Sequence, residues 1–117
     1  SFVVQSGNNI RATATIQLRA DDEVFQEAAT GEGPIEAAYH AIEKITGNVY
    51  PLEQYSINAI SGGEDALGEV VVKIKHHGDE ITGRGLSTDV IEASILAYLQ
   101  ALNVLLDEGA QKKQAEA

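Results

Sequence analysis

The sequence predicts an α+β chain built as a tandem of two similar units, each three strands followed by a helix. Three observations predict it. The segment Thr30-Gly31-Glu32-Gly33-Pro34 recurs in outline as Thr82-Gly83-Arg84-Gly85-Leu86. Each copy follows a run with strand spacing and opens one with helical spacing, so the same order of elements is traversed twice. At 117 residues the chain has room for one domain with a real core, but not comfortably for two.

In the first unit, Ile10, Ala12, Ala14, Ile16, Leu18 and Ala20 alternate with Arg11, Thr13, Thr15, Gln17 and Arg19. This is a strand with one buried and one solvated face. Residues 2–5 and 23–29 read as its neighbours, with Ser6-Gly7-Asn8-Asn9 and Asp21-Asp22 supplying the turns. Pro34 suits the first turn of a helix, where its missing N–H costs nothing. Ile35, Ala38, Ala41, Ile42 and Ile45 then recur at helical spacing, Glu36, Glu43 and Lys44 fall largely opposite, and Gly47 ends the run.

The second unit repeats the order. Residues 52–60 and 68–76 read as strands, the latter with Val70, Val72 and Ile74 on one face. His77-Gly78-Asp79 is a tight turn, and residues 80–82 start a third strand. Ser87 or Thr88 is the expected cap of the last helix, with Asp89 in its first turn. That helix is expected to run to about Leu106, followed by a polar, frayed tail at 109–117. Val90, Ile91, Ala93, Ile95, Ala97, Leu99, Ala101, Leu102, Val104, Leu105 and Leu106 are too many for one stripe. The helix therefore needs more than one neighbour, either a second subunit or a sheet and a sister helix. The expected units are 1–47 and 48–108.

Composition narrows the function. Eight basic against eighteen acidic residues give a net charge of −10, which argues against a phosphate backbone or an anionic membrane as partner. The plain reading of that charge is solubility. No apolar run reaches the roughly 18 to 20 residues of a membrane span. Cysteine is absent, so thiol chemistry and disulfides are excluded, in keeping with the cytoplasmic location expected. No signal peptide is visible, and the start at Ser1 is compatible with an excised fragment that has lost a targeting segment.

A glycine-rich corner at a helix N-terminus offers backbone N–H groups and a favourable dipole to a small anion such as a carboxylate. Two such corners suggest a small-ligand site rather than a catalytic machine. Neither fits a nucleotide-binding glycine motif. Glu64-Asp65 is a candidate acid/base pair, but adjacent residues on one short turn seldom converge on one atom, and Ala66-Leu67-Gly68 supplies no nucleophile. A solvated turn or an amine-facing wall suits the pair better. His76-His77 with His40 lacks metal-ligand spacing. Ser61, Ser87 and Ser94 lack a nucleophile-elbow context and an obvious histidine partner.

Three segments carry a resemblance to a known family. They are Gly-Glu-Gly-Pro-Ile-Glu-Ala-Ala-Tyr at 31–39; Tyr55-Ser56 with Ser-Gly-Gly-Glu-Asp-Ala-Leu-Gly-Glu-Val at 61–70; and Gly-Arg-Gly-Leu-Ser-Thr-Asp-Val-Ile-Glu-Ala-Ser at 83–94. In this order they resemble the C-terminal regulatory domain of 2-isopropylmalate synthase and its relative in citramalate synthase. The resemblance covers residues 2–106. It implies two βββα units related by a pseudo-twofold and paired with a second copy as a homodimer. It also implies binding of an end-product amino acid, leucine or isoleucine, that inhibits a separate catalytic barrel. That barrel holds a divalent metal and condenses acetyl-CoA with a 2-oxo acid. For this chain the resemblance implies no catalysis and no cofactor of its own, with leucine as allosteric effector.

Matched motif to motif, the effector contacts implied are Gly31, Glu32, Gly33, Pro34, Ile35, Leu52, Tyr55, Ala59 and Leu86. Ile35, Leu52, Ala59 and Leu86 suit a branched aliphatic side chain, and the loop N–H groups suit its carboxylate. Glu32 stands where many relatives carry asparagine, and its carboxylate is expected to face the effector's ammonium. Leucine is preferred to isoleucine because the motifs look more like the isopropylmalate branch. Two other classes compete: a dimerisation module without a ligand, and a small enzyme using Glu64, Asp65 or His77.

Overall fold

The computed structural model describes residues 2–7, 10–60 and 67–116. The chain divides into two compact units, Ser1–Val49 and Tyr50–Ala117. Each is a three-stranded antiparallel sheet followed by a helix, the α+β βββα order read from the sequence.

In the first unit, β1 (Phe2–Gly7), β2 (Ile10–Ala20) and β3 (Glu23–Gly31) pair in chain order, and α1 (Pro34–Thr46) follows. Asp21 takes φ 56° in the two-residue turn between the paired Ala20 and Glu23. Aspartate tolerates that left-handed conformation better than most residues. Ala12, Ala14 and Ile16 are buried, as the alternation requires. The alternation outlasts the cover. Lys44, in the last turn of α1, reaches back only as far as Ala28, and Val24 and Phe25 beyond it are exposed.

Small residues set the spacing of helix and sheet. Ala12 pairs with Gly31 and Ala14 with Ala29. A β-carbon on Gly31 would stand 2.5 Å from the Ala37 nitrogen. The helix buries Ala37, Ala38, Tyr39, Ala41 and Ile42, while Ile35 and Ile45 are only half-buried. Gly47 ends it at φ 76°, its N–H donating to the Glu43 carbonyl at 2.8 Å.

In the second unit, β4 (Leu52–Ala59), β5 (Gly68–His76) and β6 (Asp79–Ser87) pair in chain order, and α2 (Val90–Glu116) follows. Positive φ at both His77 (51°) and Gly78 (84°) gives the turn a hand that matches strand twist. Val70, Val72 and Ile74 are fully buried.

Three expectations need correcting here. Gly83 and Gly85 are not in a loop at a helix N-terminus but inside β6, both buried. There α2 crosses the strand so closely that their β-carbons would overlap the carbonyl oxygens of Ala97 and Ala93. The cap of α2 is Asp89, not Ser87 or Thr88. Its Oδ1 accepts from the Ile91 N–H at 2.8 Å and the Glu92 N–H at 3.4 Å, while the Ser87 Oγ accepts from the Asp89 N–H. And α2 continues to Glu116 instead of ending at about Leu106; Ala110, Gln111, Lys112, Lys113, Gln114 and Ala115 are helix-favouring residues.

Helix α2 lies over β5 and β6 but does not approach the backbone of β4. The β4 residues on that side are consequently open, with Ile57 51% exposed. Among the described residues, no helix is long and apolar enough to cross a membrane.

Candidate functional site

The nine residues singled out from the sequence fall into two groups. Gly31, Glu32, Gly33, Pro34 and Ile35 form the entry to α1 in the first unit. Leu52, Tyr55, Ala59 and Leu86 lie on β4 and β6 of the second.

At the entry to α1 the two glycines have different causes. Gly31 is required by packing, since any side chain would strike α1. Gly33 is not. It is the N-cap, with extended φ −140° and ψ 172°, and a β-carbon there would meet nothing within 4 Å. A glycine that neither conformation nor packing demands leaves a bare approach to the first helical turn. No side chain caps that turn. Pro34 has no N–H and the Ala37 N–H already bonds the Gly33 carbonyl at 3.0 Å, so Ile35 and Glu36 offer the turn's amides. The Glu32 N–H is occupied by Glu36 Oε1 at 3.3 Å. The two residues that flank these amides, Glu32 and Glu36, are both acidic and exposed.

In the second unit, strand register decides which residues converge. Tyr55 pairs with Val72, Ile57 with Val70 and Ala59 with Gly68, which puts all three on the α2 side of the sheet. Leu52 lies three residues before Tyr55 and would point the other way in a regular strand. An irregularity between Leu52 and Gln54 brings it into register with Ile74, on the same side. Leu86 pairs with Glu69 and belongs to the opposite face. The unit therefore gathers Leu52, Tyr55 and Ala59 and leaves Leu86 on its other side. Leu52 and Leu86 are 45% and 51% exposed, a large apolar surface for residues that fill no core.

Tyr55 is the fixed member of this group. Its hydroxyl lies 2.5 Å from the Ser94 Oγ, and that oxygen bonds the Val90 carbonyl at 2.7 Å. Sequence reasoning passed over Ser94 because it was weighed only as a nucleophile. The available signal was a lone hydroxyl in the apolar run Ala93-Ser94-Ile95.

A separate recess of about 470 Å³ lies beside α1, lined in part by His40, Glu43, Lys44 and Asn48. None of the nine residues lines it. The Thr30 carbonyl can only accept, so His40 Nδ1 carries the proton in their 2.9 Å bond; Lys44 Nζ donates to the Ala28 carbonyl at 2.8 Å. Burial raises the pKa of Glu43 from its usual 4.5, and the charge of His40 opposes the rise in part. The His76 and His77 rings lie with centroids 4.0 Å apart and are tilted 57° to each other. Among the described residues, no group of three or more His, Asp or Glu side chains is placed to hold a metal ion. Glu64 and Asp65 lie outside the described residues.

The sequence matches the LeuA allosteric (dimerisation) domain family over residues 1–106. It is similar to a 2-isopropylmalate synthase of Carboxydothermus hydrogenoformans, with 56% identity over 90% of this chain and 21% of the relative. A 2-isopropylmalate synthase of Ruminiclostridium cellulolyticum is 48% identical over 92% of the chain and 21% of the relative. One from Heliobacterium modesticaldum is 48% identical over 97% and 22%. The chain spans about a fifth of the length of these relatives. Nearly the whole of it is covered by the family match, and the chain belongs to the LeuA allosteric (dimerisation) domain family.

Proposed function

We propose that this chain is the leucine-sensing feedback domain of a 2-isopropylmalate synthase. Gly31, Glu32, Gly33, Pro34 and Ile35, with Leu52, Tyr55, Ala59 and Leu86, are its effector-contacting residues. The observation that carries the reading is the family match over residues 1–106, together with relatives that are 2-isopropylmalate synthases. The uncapped first turn of α1, the unforced glycine at 33 and the exposed Leu52 on the Tyr55 side of β4 support it.

In this reading the chain works as a homodimer, for which the exposed Leu96, Val104 and Leu106 of α2 offer apolar surface. Catalysis, an acyl transfer from acetyl-CoA to a 2-oxo acid with a divalent metal, belongs to a catalytic domain outside these residues. Leucine inhibits by binding an inhibited state of the enzyme better than the active one. Couplings of this kind are typically about 1 to 3 kcal/mol.

Calorimetric titration of the chain with leucine, isoleucine and valine in parallel tests the proposal. Saturable binding that prefers leucine is expected. Preference for isoleucine would move the parent enzyme to the citramalate branch. Absence of binding by a folded dimer would leave a dimerisation module.

A further inference from the structure

We propose that Ser94 is a positioning residue that fixes Tyr55, and through it strand β4, to helix α2. Three observations lead to it. Ser94 is the polar side chain fully buried among the described residues, at 0% exposure. Its single hydroxyl proton goes to the Val90 carbonyl, which can only accept, so toward Tyr55 the Ser94 oxygen is the acceptor and the phenol donates. The bond spans a gap that main-chain packing does not close, because α2 covers β5 and β6 and stops short of β4.

The helix gains nothing from a serine at this place. Alanine has the better helix propensity, and a hydroxyl bonded back to the fourth residue before it slightly destabilises a helix. What serine adds is an acceptor for Tyr55. The donor chain from Tyr55 through Ser94 to Val90 sets the phenol, and Leu52 and Ala59 share its side of β4. The part of the inference that concerns affinity rests on the effector reading above. The bridge itself does not.

The test is a double-mutant cycle in the full chain with Ser94→Ala, Tyr55→Phe and the pair, plus Ser94→Thr, which keeps the hydroxyl. Two quantities are read: hydrogen exchange at the amides of β4, and leucine affinity by titration. Either single change is expected to speed β4 exchange and weaken leucine about 5- to 30-fold, the scale of one lost buried interaction. The double variant is expected to be no worse than the more affected single one, and Ser94→Thr to restore both readouts. A serine that only holds β4 in place would speed exchange on substitution and leave affinity unchanged. Effects that multiply in the double variant, or wild-type exchange at β4 in Ser94→Ala, would overturn the bridge. Wild-type affinity in Ser94→Ala would overturn the positioning role. Should the unmodified chain take up no leucine, the effector reading falls, and the exchange cycle alone decides the bridge.

Discussion

Gly83 lies directly against the main chain of Ala97. A β-carbon on it would overlap the Ala97 carbonyl oxygen and stand 2.7 Å from the Ala101 nitrogen. The obstacles are backbone atoms of a helix, which cannot swing aside as a side chain does. Gly83→Ala is therefore expected to destabilise the chain by about 3 kcal/mol, the upper end of overpacking costs, despite alanine's lower backbone entropy. Chemical denaturation measures it. A loss below about 0.5 kcal/mol would show that α2 does not sit on β6 as described.

Asp89 caps α2 through two hydrogen bonds from the first turn. Asp89→Ala is expected to cost about 1 kcal/mol, and Asp89→Asn much less, because the amide oxygen still accepts. Thermal melting of the two variants should rank them in that order. Equal melting points would transfer the cap to Ser87 or Thr88.

These two positions also show where the sequence was legible and where it was not. The period-two runs gave β2 and β5 because each buries one face, and Pro34 and Gly47 bounded α1 because both act through local backbone geometry. The second glycine segment was misread because a close helix crossing and a tight turn both call for glycine, and only packing separates them. Ser87-Thr88-Asp89 offered three capping residues in a row, and the choice depends on where the chain leaves β6. In the site, pairing register put Leu86 on the face opposite Tyr55, and a strand irregularity moved Leu52 to the Tyr55 side. Neither follows from residue type.

Glu43 gives the chain a defined pH response. Burial, the larger influence, raises its pKa above 4.5 in the folded chain, with His40 opposing. The folded state therefore holds the proton more tightly than the unfolded one. The stability this contributes is complete below pH 4.5 and lost as the pH rises through the folded value. Glu43→Gln, which imitates the protonated form, should be more stable than the parent near neutral pH, with the gap closing at about pH 4. Melting curves at both values check it. A variant less stable near neutrality would reverse the sign and imply that the His40 charge outweighs burial.

The effector reading assigns Glu32 to the ammonium of leucine. The side chain is exposed, and its own N–H is held by Glu36, so the corner already carries two carboxylates beside the helix amides. Removing one by Glu32→Gln is expected to weaken leucine about five- to tenfold, the scale of a charged hydrogen bond replaced by a neutral one, with little change in folding. Unchanged affinity in a parallel titration would exclude that role.

Gly33 separates ligand access from folding most sharply. Its φ of −140° is open to any residue, and a β-carbon meets nothing within 4 Å. Gly33→Ala should therefore lose no more than the roughly 1 kcal/mol by which glycine exceeds alanine as an N-cap. If leucine approaches the first turn of α1, the added methyl group stands in its path, and affinity is expected to fall at least tenfold while the fold persists. Gly31→Ala gives the contrast, since there the methyl group would strike Ala37 and stability should fall first. Paired denaturation and titration of the two variants distinguish a glycine kept for packing from one kept for a ligand. Full leucine affinity in Gly33→Ala would place the effector away from this corner.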